Sequence, residues 1–458
     1  MRGILSDIAS PDQRVRLVLA TRLVTIAGAP VTLLLVMTRV PVAEQGLYFV
    51  FVNLVALAQL FEIGVGSLVV QYASHELPNV RWESGGRIVA DERVLRRVRL
   101  LLGRSVRWYT AAAVIIAVTA IPFGLILFSA RSDSRGSAMT LWGLTVVATA
   151  AYLPMVPVVN TIEGCGRLVD VQRMRLVQAA ALVMSAWMLI PTLGALIAVA
   201  TGALLQLLTA GYWLLRRWPA LLDLVRGARM QSTAETTPEL DRLYSTQLRT
   251  AAVWLSAHLA TQGLTPLVLY FHGAVSAGQI GATLALTTVP YTIGMSWLQG
   301  RLPDFGALAS QGKHRELDMT ARHATTQAAI VCLAGVVGVI AVIGAIHQFV
   351  PALRDRVLPP WPAAAALAAA AFVGLLLQAM AGYIRAYRAE PLVAVLIGGY
   401  AAMLSAAWVA ASLRGPDATA VAFFLTSALI TLPATAFMLW RERRKLGVRV
   451  EVPTGDPA

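Results

Sequence analysis

Glu62 is the only carboxylate in a long apolar stretch, Gly46–Tyr72. An ionised carboxylate in hydrocarbon costs a few kcal/mol, so it faces a cavity, pairs with a base, or takes up a proton. One reading makes Glu62 a protonatable coupling or gating group. The other makes it a structural pair to another helix, with Arg22 as a candidate. Arg22 stands one to two turns inside the first apolar run, Leu17–Thr38. Its guanidinium fits phosphate oxygens, and its long stem also allows it to snorkel to the interface. Arg249, Arg301 and Arg385 stand at the ends of later runs. Each can be a topology anchor. Together with Arg22 they can also ring a positive cavity, whose low-dielectric walls would focus the field on an anion. His258 lies mid-run beside Ser256, Thr261 and Gln262. Gln59, Asn53, Gln206, Gln299 and Gln378 are polar residues in apolar surroundings. They can bond a ligand's hydroxyls or only neighbouring helices.

The elements that position these groups follow from composition. The chain has 458 residues, 57% hydrophobic and 14% charged, and its mean hydropathy is +0.67. Soluble domains carry roughly 25% charged residues. The apolar residues come in contiguous blocks without alternation, which excludes barrel strands. Each block is long enough to cross a hydrocarbon core of ~30 Å as a helix. Spans are expected near 17–38, 46–72, 106–128, 138–160, 173–192, 195–215, 247–271, 279–300, 322–346, 361–384, 392–412 and 418–440. The fold class is therefore an all-α polytopic membrane protein of about twelve helices. With both termini inside, 32 of the 38 Lys and Arg fall on the cytoplasmic side. That asymmetry supports an N-in, C-in topology. The run after Arg2, Arg14 and Arg16 is too long for a signal peptide, so it is read as a retained first span.

The net charge of +14 is assigned to inter-helix loops and not to nucleic acid, since no aromatic–basic platform or zinc spacing accompanies it. Cys165 and Cys332 form neither a disulfide framework nor a CxxC site and are read as small core residues. In Glu76–Arg104, Arg93, Arg96, Arg97, Arg99 and Arg104 recur at helical spacing. They predict an amphipathic helix on anionic lipid headgroups. The polar stretch Met230–Pro238 marks a linker. The expected domains are 1–220, a linker 221–246, 247–445 and a cytoplasmic tail 446–458. Prolines 30, 154, 157, 266, 290 and 433 are hinges or fixed kinks.

The halves correspond weakly. At a shift of 235 residues, Arg14 meets Arg249, Gly28 meets Gly263 and Gly46 meets Gly281. At a shift of 221, Arg167 meets Arg388, Trp187 meets Trp408 and Gly194 meets Gly415. Parallel six-span repeats are a transporter architecture with a cavity between the halves.

Glu44-Gln45-Gly46-Leu47-Tyr48 opens span two, and Phe61-Glu62-Ile63-Gly64-Val65-Gly66 follows. Glu163-Gly164-Cys165-Gly166-Arg167 closes span four, and Ile384-Arg385-Ala386-Tyr387-Arg388-Ala389-Glu390-Pro391 sits in the matching place of the second half. This pattern resembles the polysaccharide flippases of the MOP superfamily, relatives of MATE exporters and of the lipid II flippase. The resemblance implies two pseudo-symmetric six-helix bundles in a V and alternating access without covalent chemistry. It implies an undecaprenyl-pyrophosphate-linked oligosaccharide as substrate, moved between leaflets of a bacterial cytoplasmic (inner) membrane for polysaccharide biosynthesis. A polysaccharide polymerase and chain-length machinery would be partners. No cofactor or metal is expected, and coupling would use a proton or Na+ gradient. Arg22, Arg249, Arg301 and Arg385 would then meet the pyrophosphate, with His258 and Gln59 nearby. The lipid II flippase has two more spans, for which this chain has no room.

No catalytic constellation or P-loop is present. Two other functions compete with the flippase. A MATE-like small-cation exporter would favour an acidic cavity. A membrane-embedded glycosyltransferase or O-antigen polymerase would need a carboxylate constellation and usually a large external loop.

Overall fold

In lipid a backbone must satisfy itself, so long apolar runs fold as helices. The computed structural model describes residues 13–61, 66, 69–70, 73–74, 81–83, 88–129, 135–219, 238–387 and 391–450. Among these, ten helices are long and apolar enough to cross a membrane. One of them, Ala251–Gly306, is 56 residues long. It breaks at Gly273, whose φ of 85° is not helical, and so holds two crossings. Val42–Ala56 is a shorter apolar helix besides these. The chain is an all-α, multi-pass membrane protein.

It divides into two compact units, Met1–Ala251 and Ala252–Ala458. The first holds α1 (Gln13–Arg39), α2 (Val42–Phe61), α3 (Glu92–Ser129), α4 (Arg135–Tyr152), α5 (Val156–Gly164), α6 (Leu168–Thr192) and α7 (Ala195–Arg217). A two-residue hairpin, β1 (Arg81–Trp82) with β2 (Ile88–Val89), precedes α3. Helix α8 (Pro238–Gln262) contains the division between units. The second unit continues with α9 (Leu264–Gln299), α10 (Leu302–Ser310), α11 (His314–Phe349), α12 (Ala365–Arg385), α13 (Val393–Leu413), α14 (Pro416–Thr426) and α15 (Leu432–Val450).

Three expected segments are helical over more of their length than the sequence implied. The basic segment is not a separate surface helix, because α3 starts at Glu92 and continues unbroken through the third crossing. Val94, Val98, Leu101 and Leu102 on its apolar face are buried, so the helical spacing of the arginines marks a protein-packed helix. Residues 238–246 of the expected linker are helical and form the start of α8. The rest of that linker falls outside the described residues. Helix α15 runs on to Val450, into the expected tail.

Within unit 1, α1 packs on α6, α6 on α7, and α4 on α3 and α7. Phe51, Phe128 and Trp142 form an aromatic core with centroids 5.1–6.0 Å apart. Trp142 donates its indole N–H to Ala120 O at 2.8 Å. Unit 2 packs α9, α11 and α12 around Leu298, Phe305, Leu317, Ala328 and Leu375. Small residues allow close approach there: a Cβ on Gly335 would lie 2.6 Å from Pro290 Cβ. Cys165 and Cys332 are buried and unbridged.

The turn joining α6 to α7 and the turn joining α13 to α14 are built alike. Gly194 has φ 104° and ψ 159°, and Gly415 has φ 132° and ψ −177°. That region of backbone space belongs almost wholly to glycine. Gly194 N–H donates to Leu189 O at 2.9 Å, and Gly415 N–H to Ala410 O at 3.4 Å. Each glycine then caps the next helix, through Ala198 N–H in one case and Thr419 N–H in the other.

Candidate functional site

The sequence-selected residues divide between the units. Arg22 is exposed on α1 and Arg249 is exposed on α8, both in unit 1. Neither makes an ion pair with a described residue. Arg301 and Arg385 belong to unit 2 and lie at the same end of it. Arg301 precedes α10 and pairs with Asp304 at 3.4 Å. Arg385 closes α12 half-buried, with its charge near Tyr400 of α13. His258 is half-buried on α8 and takes part in side-chain interactions, as does Gln262. Ser256 and Thr261 donate to carbonyls of their own helix, Ala252 O at 2.8 Å and Ala257 O at 2.9 Å. Their hydroxyls are thus committed to the helix backbone. Gln378 is buried on α12, near Tyr400 of α13. Gln59 lies on α2 with its side chain outside the described residues, and Glu62 lies outside them altogether.

Two polar clusters join residues of the quoted motifs, Glu163, Arg167 and Tyr387, to partners that were not singled out from sequence. The first is at the basic end of unit 2. Tyr383 O–H donates to Asp318 Oδ1 at 2.6 Å, and Arg443 bonds the other carboxylate oxygen. The Arg443 guanidinium also lies 5.4 Å over the Tyr383 ring. His314 Nδ1 is 3.2 Å from the Tyr387 hydroxyl, and their rings stack at 5.6 Å. Tyr383 and Tyr387 hydroxyls are 3.5 Å apart. The starts of α11 and the ends of α12 and α15 are thus tied by one network. Helical spacing places Asp318 one turn after His314, and Tyr383 one turn before Tyr387.

The second cluster surrounds the turn after α5. Gly166 has φ 94°, and Arg167 N–H reaches back to Ile162 O at 3.1 Å, a glycine helix stop. Trp82 donates its indole N–H to Cys165 O at 2.8 Å, satisfying one terminal carbonyl. Arg167 lies 5.8 Å over Trp82 and 5.7 Å over Trp218, within cation–π range. One turn back, Glu163 pairs with Arg175 at 3.0 Å, and Arg175 also donates to Asn160 Oδ1 at 3.2 Å. A Cβ on Gly66 would sit 2.5 Å from Asn160 Nδ2, so glycine there lets the second span approach this cluster. Among the described residues no group of His, Cys, Asp and Glu could hold a metal ion.

No protein-family model matches the chain, and no curated protein matches it by sequence. Solved structures do match. An inward-facing multidrug resistance MATE family transporter of the MOP superfamily aligns with a TM-score of 0.63 at 14% identity, over 95% of this chain and 96% of that one. The lipid II flippase MurJ in an inward closed conformation aligns at 0.60 and 12% identity, over 93% and 87%. A MOP superfamily transporter from Pyrococcus furiosus Vc1 (DSM3638), whose pocket is described as reversed in polarity, aligns at 0.55 and 15% identity, over 96% of each chain. The chain has the fold of the MOP-superfamily transporters, and these structural neighbours are transporters and not enzymes.

Proposed function

We propose that this chain is a flippase for an anionic, lipid-linked oligosaccharide. It moves the glycan on an undecaprenyl-pyrophosphate carrier from the cytoplasmic to the outer leaflet of a bacterial inner membrane, by alternating access. The fold supports transport of some kind, and the charge distribution favours this cargo. The predicted spans between residues 247 and 440 contain no Asp or Glu. At the basic end of unit 2 the carboxylates of Asp304, Glu316, Asp318 and Glu442 each already pair with Arg or Lys. The surplus of the net +14 is therefore guanidinium and ammonium. A small-cation exporter needs uncommitted negative charge facing its cargo, whereas a pyrophosphate needs the opposite. In this reading Arg22, Arg249, Arg301 and Arg385 meet the pyrophosphate, and His258 and Gln59 meet sugar hydroxyls. Glu62 couples the cycle to a proton or Na+ gradient.

The test uses a deletion strain and an impermeant sugar-binding probe on spheroplasts. Lipid-linked repeat units are expected to accumulate on the cytoplasmic side. Wild type should restore probe access, and Glu62→Gln should not. Normal glycan distribution with altered tolerance to cationic drugs would move the assignment to the exporter.

A further inference from the structure

A recess of about 700 Å³ lies against α3, lined by Val106, Arg107, Thr110, Ala111, Val114 and Ile115. Their spacing of three and four residues puts them on one helix face. Arg107 is exposed and makes no hydrogen bond or ion pair with a described residue. Its neighbours are committed: Arg99 pairs with Glu92 at 3.2 Å, and Arg104 takes part in interactions elsewhere. Arg107 is also the last charge before Trp108–Ser129, an uncharged stretch about one hydrocarbon core in length. It therefore stands at headgroup level, where Trp108 beside it is the kind of side chain that marks the interface.

From Arg107 to Ile115 the face descends about 12 Å, close to one leaflet's depth. Thr110 donates its hydroxyl to Val106 O at 2.7 Å, so it offers the recess no free donor. Ala111 leaves the hollow, and below it Val114 and Ile115 are 56% and 62% exposed. The face has one cation at the top and hydrocarbon beneath. A zwitterionic phospholipid brings a phosphate whose charge its own ammonium compensates, whereas an anionic phospholipid brings Arg107 an uncompensated negative charge and covers the lower part as well.

We propose that this face of α3 holds an anionic phospholipid of the surrounding bilayer. Its phosphate sits on Arg107 and its acyl chain runs over Ala111, Val114 and Ile115. The site rests on the membrane fold and is independent of what the protein transports.

Native mass spectrometry of the full chain with equal phosphatidylglycerol and phosphatidylcholine tests this. Wild type is expected to retain phosphatidylglycerol preferentially. Arg107→Gln should reduce that preference about fivefold, the value of one cation at an anionic surface. Arg107→Lys should keep most of it. Ala111→Phe should fill the recess and lower retention of both lipids. An unchanged preference in Arg107→Gln, or equal retention of both lipids by wild type, would overturn the site. Displacement of phosphatidylglycerol by equimolar undecaprenyl pyrophosphate would equally overturn its assignment to a bilayer lipid.

Discussion

The turns after α6 and α13 match each other in backbone angles and in hydrogen bonding, yet the basic ends of the same two units are held by different chemistry. In unit 1 an arginine lies over two tryptophans that pack edge-on against each other, and the hairpin tryptophan of the pair closes the helix stop at Cys165. In unit 2 a carboxylate gathers a tyrosine and an arginine from two other helices. The difference teaches which parts of two helical bundles with matching turns are constrained. A helix reversal in few residues has few backbone solutions, so the same glycine recurs. The polar ties at a helix end have many solutions, so each unit carries its own.

Substituting the paired glycines should give the largest effects. Nothing lies within 4 Å of a Cβ built on Gly194 or Gly415, so an alanine there meets strain and no clash. Gly194→Ala and Gly415→Ala are each expected to cost about 1–3 kcal/mol. The measurement is the melting temperature of the detergent-solubilised protein. Similar losses would sharpen the equivalence of the two turns. A loss at only one would break it.

Next in size is the unit 2 network. Asp318→Ala removes the acceptor of Tyr383 and the partner of Arg443 together. The Arg443 and Asp318 side chains are 38% and 30% exposed, so solvent screens part of the pair. The expected loss is on the order of 1–2 kcal/mol. Asp318→Asn keeps an acceptor for Tyr383 and should lose less. A double-mutant cycle with Arg443→Ala should show non-additivity, whereas strict additivity would mean that the pair does not couple the helices.

The sequence made the spans legible because hydrocarbon thickness imposes a length and forbids charge. It also pointed to Gly194 with Gly415 and Trp187 with Trp408, because single residues with special backbone or ring geometry survive where packing residues exchange freely. The polar ties were not legible. Trp82 reaches 83 positions to Cys165, and Asp318 reaches 125 to Arg443, pairings that only the packed helices decide. The arginines from Arg93 to Arg104 show the opposite error. Their spacing identified a helix correctly but did not say whether lipid or protein covered its other face. Of the proposed site, Arg22, Arg249, His258, Arg301 and Arg385 lie among the described residues, and Glu62 and the Gln59 side chain do not. Arg22 and Arg249 belong to one unit and Arg301 and Arg385 to the other.

The smallest effect tests the repeat at the matched tryptophans. Trp187 of α6 donates its indole N–H to Thr32 Oγ1 on α1 at 3.1 Å, and Thr32 donates onward to Gly28 O at 2.9 Å. Trp408 of α13 meets the first crossing of its unit through rings alone, stacking at 6.5 Å from Tyr270 and edge-on at 5.3 Å from Phe271. Both tryptophans brace the same pair of helices in their own unit, one by a hydrogen bond and one by aromatic contact. Trp187→Phe removes the bond and should cost about 0.6 kcal/mol, the average for a hydrogen bond between membrane helices. Trp408→Phe keeps an aromatic ring and should cost less. Equal losses would mean that ring packing holds both helix pairs and that the bond to Thr32 adds nothing. A loss confined to Trp187→Phe would show that one position in the repeat has kept its neighbour and changed the force that binds them.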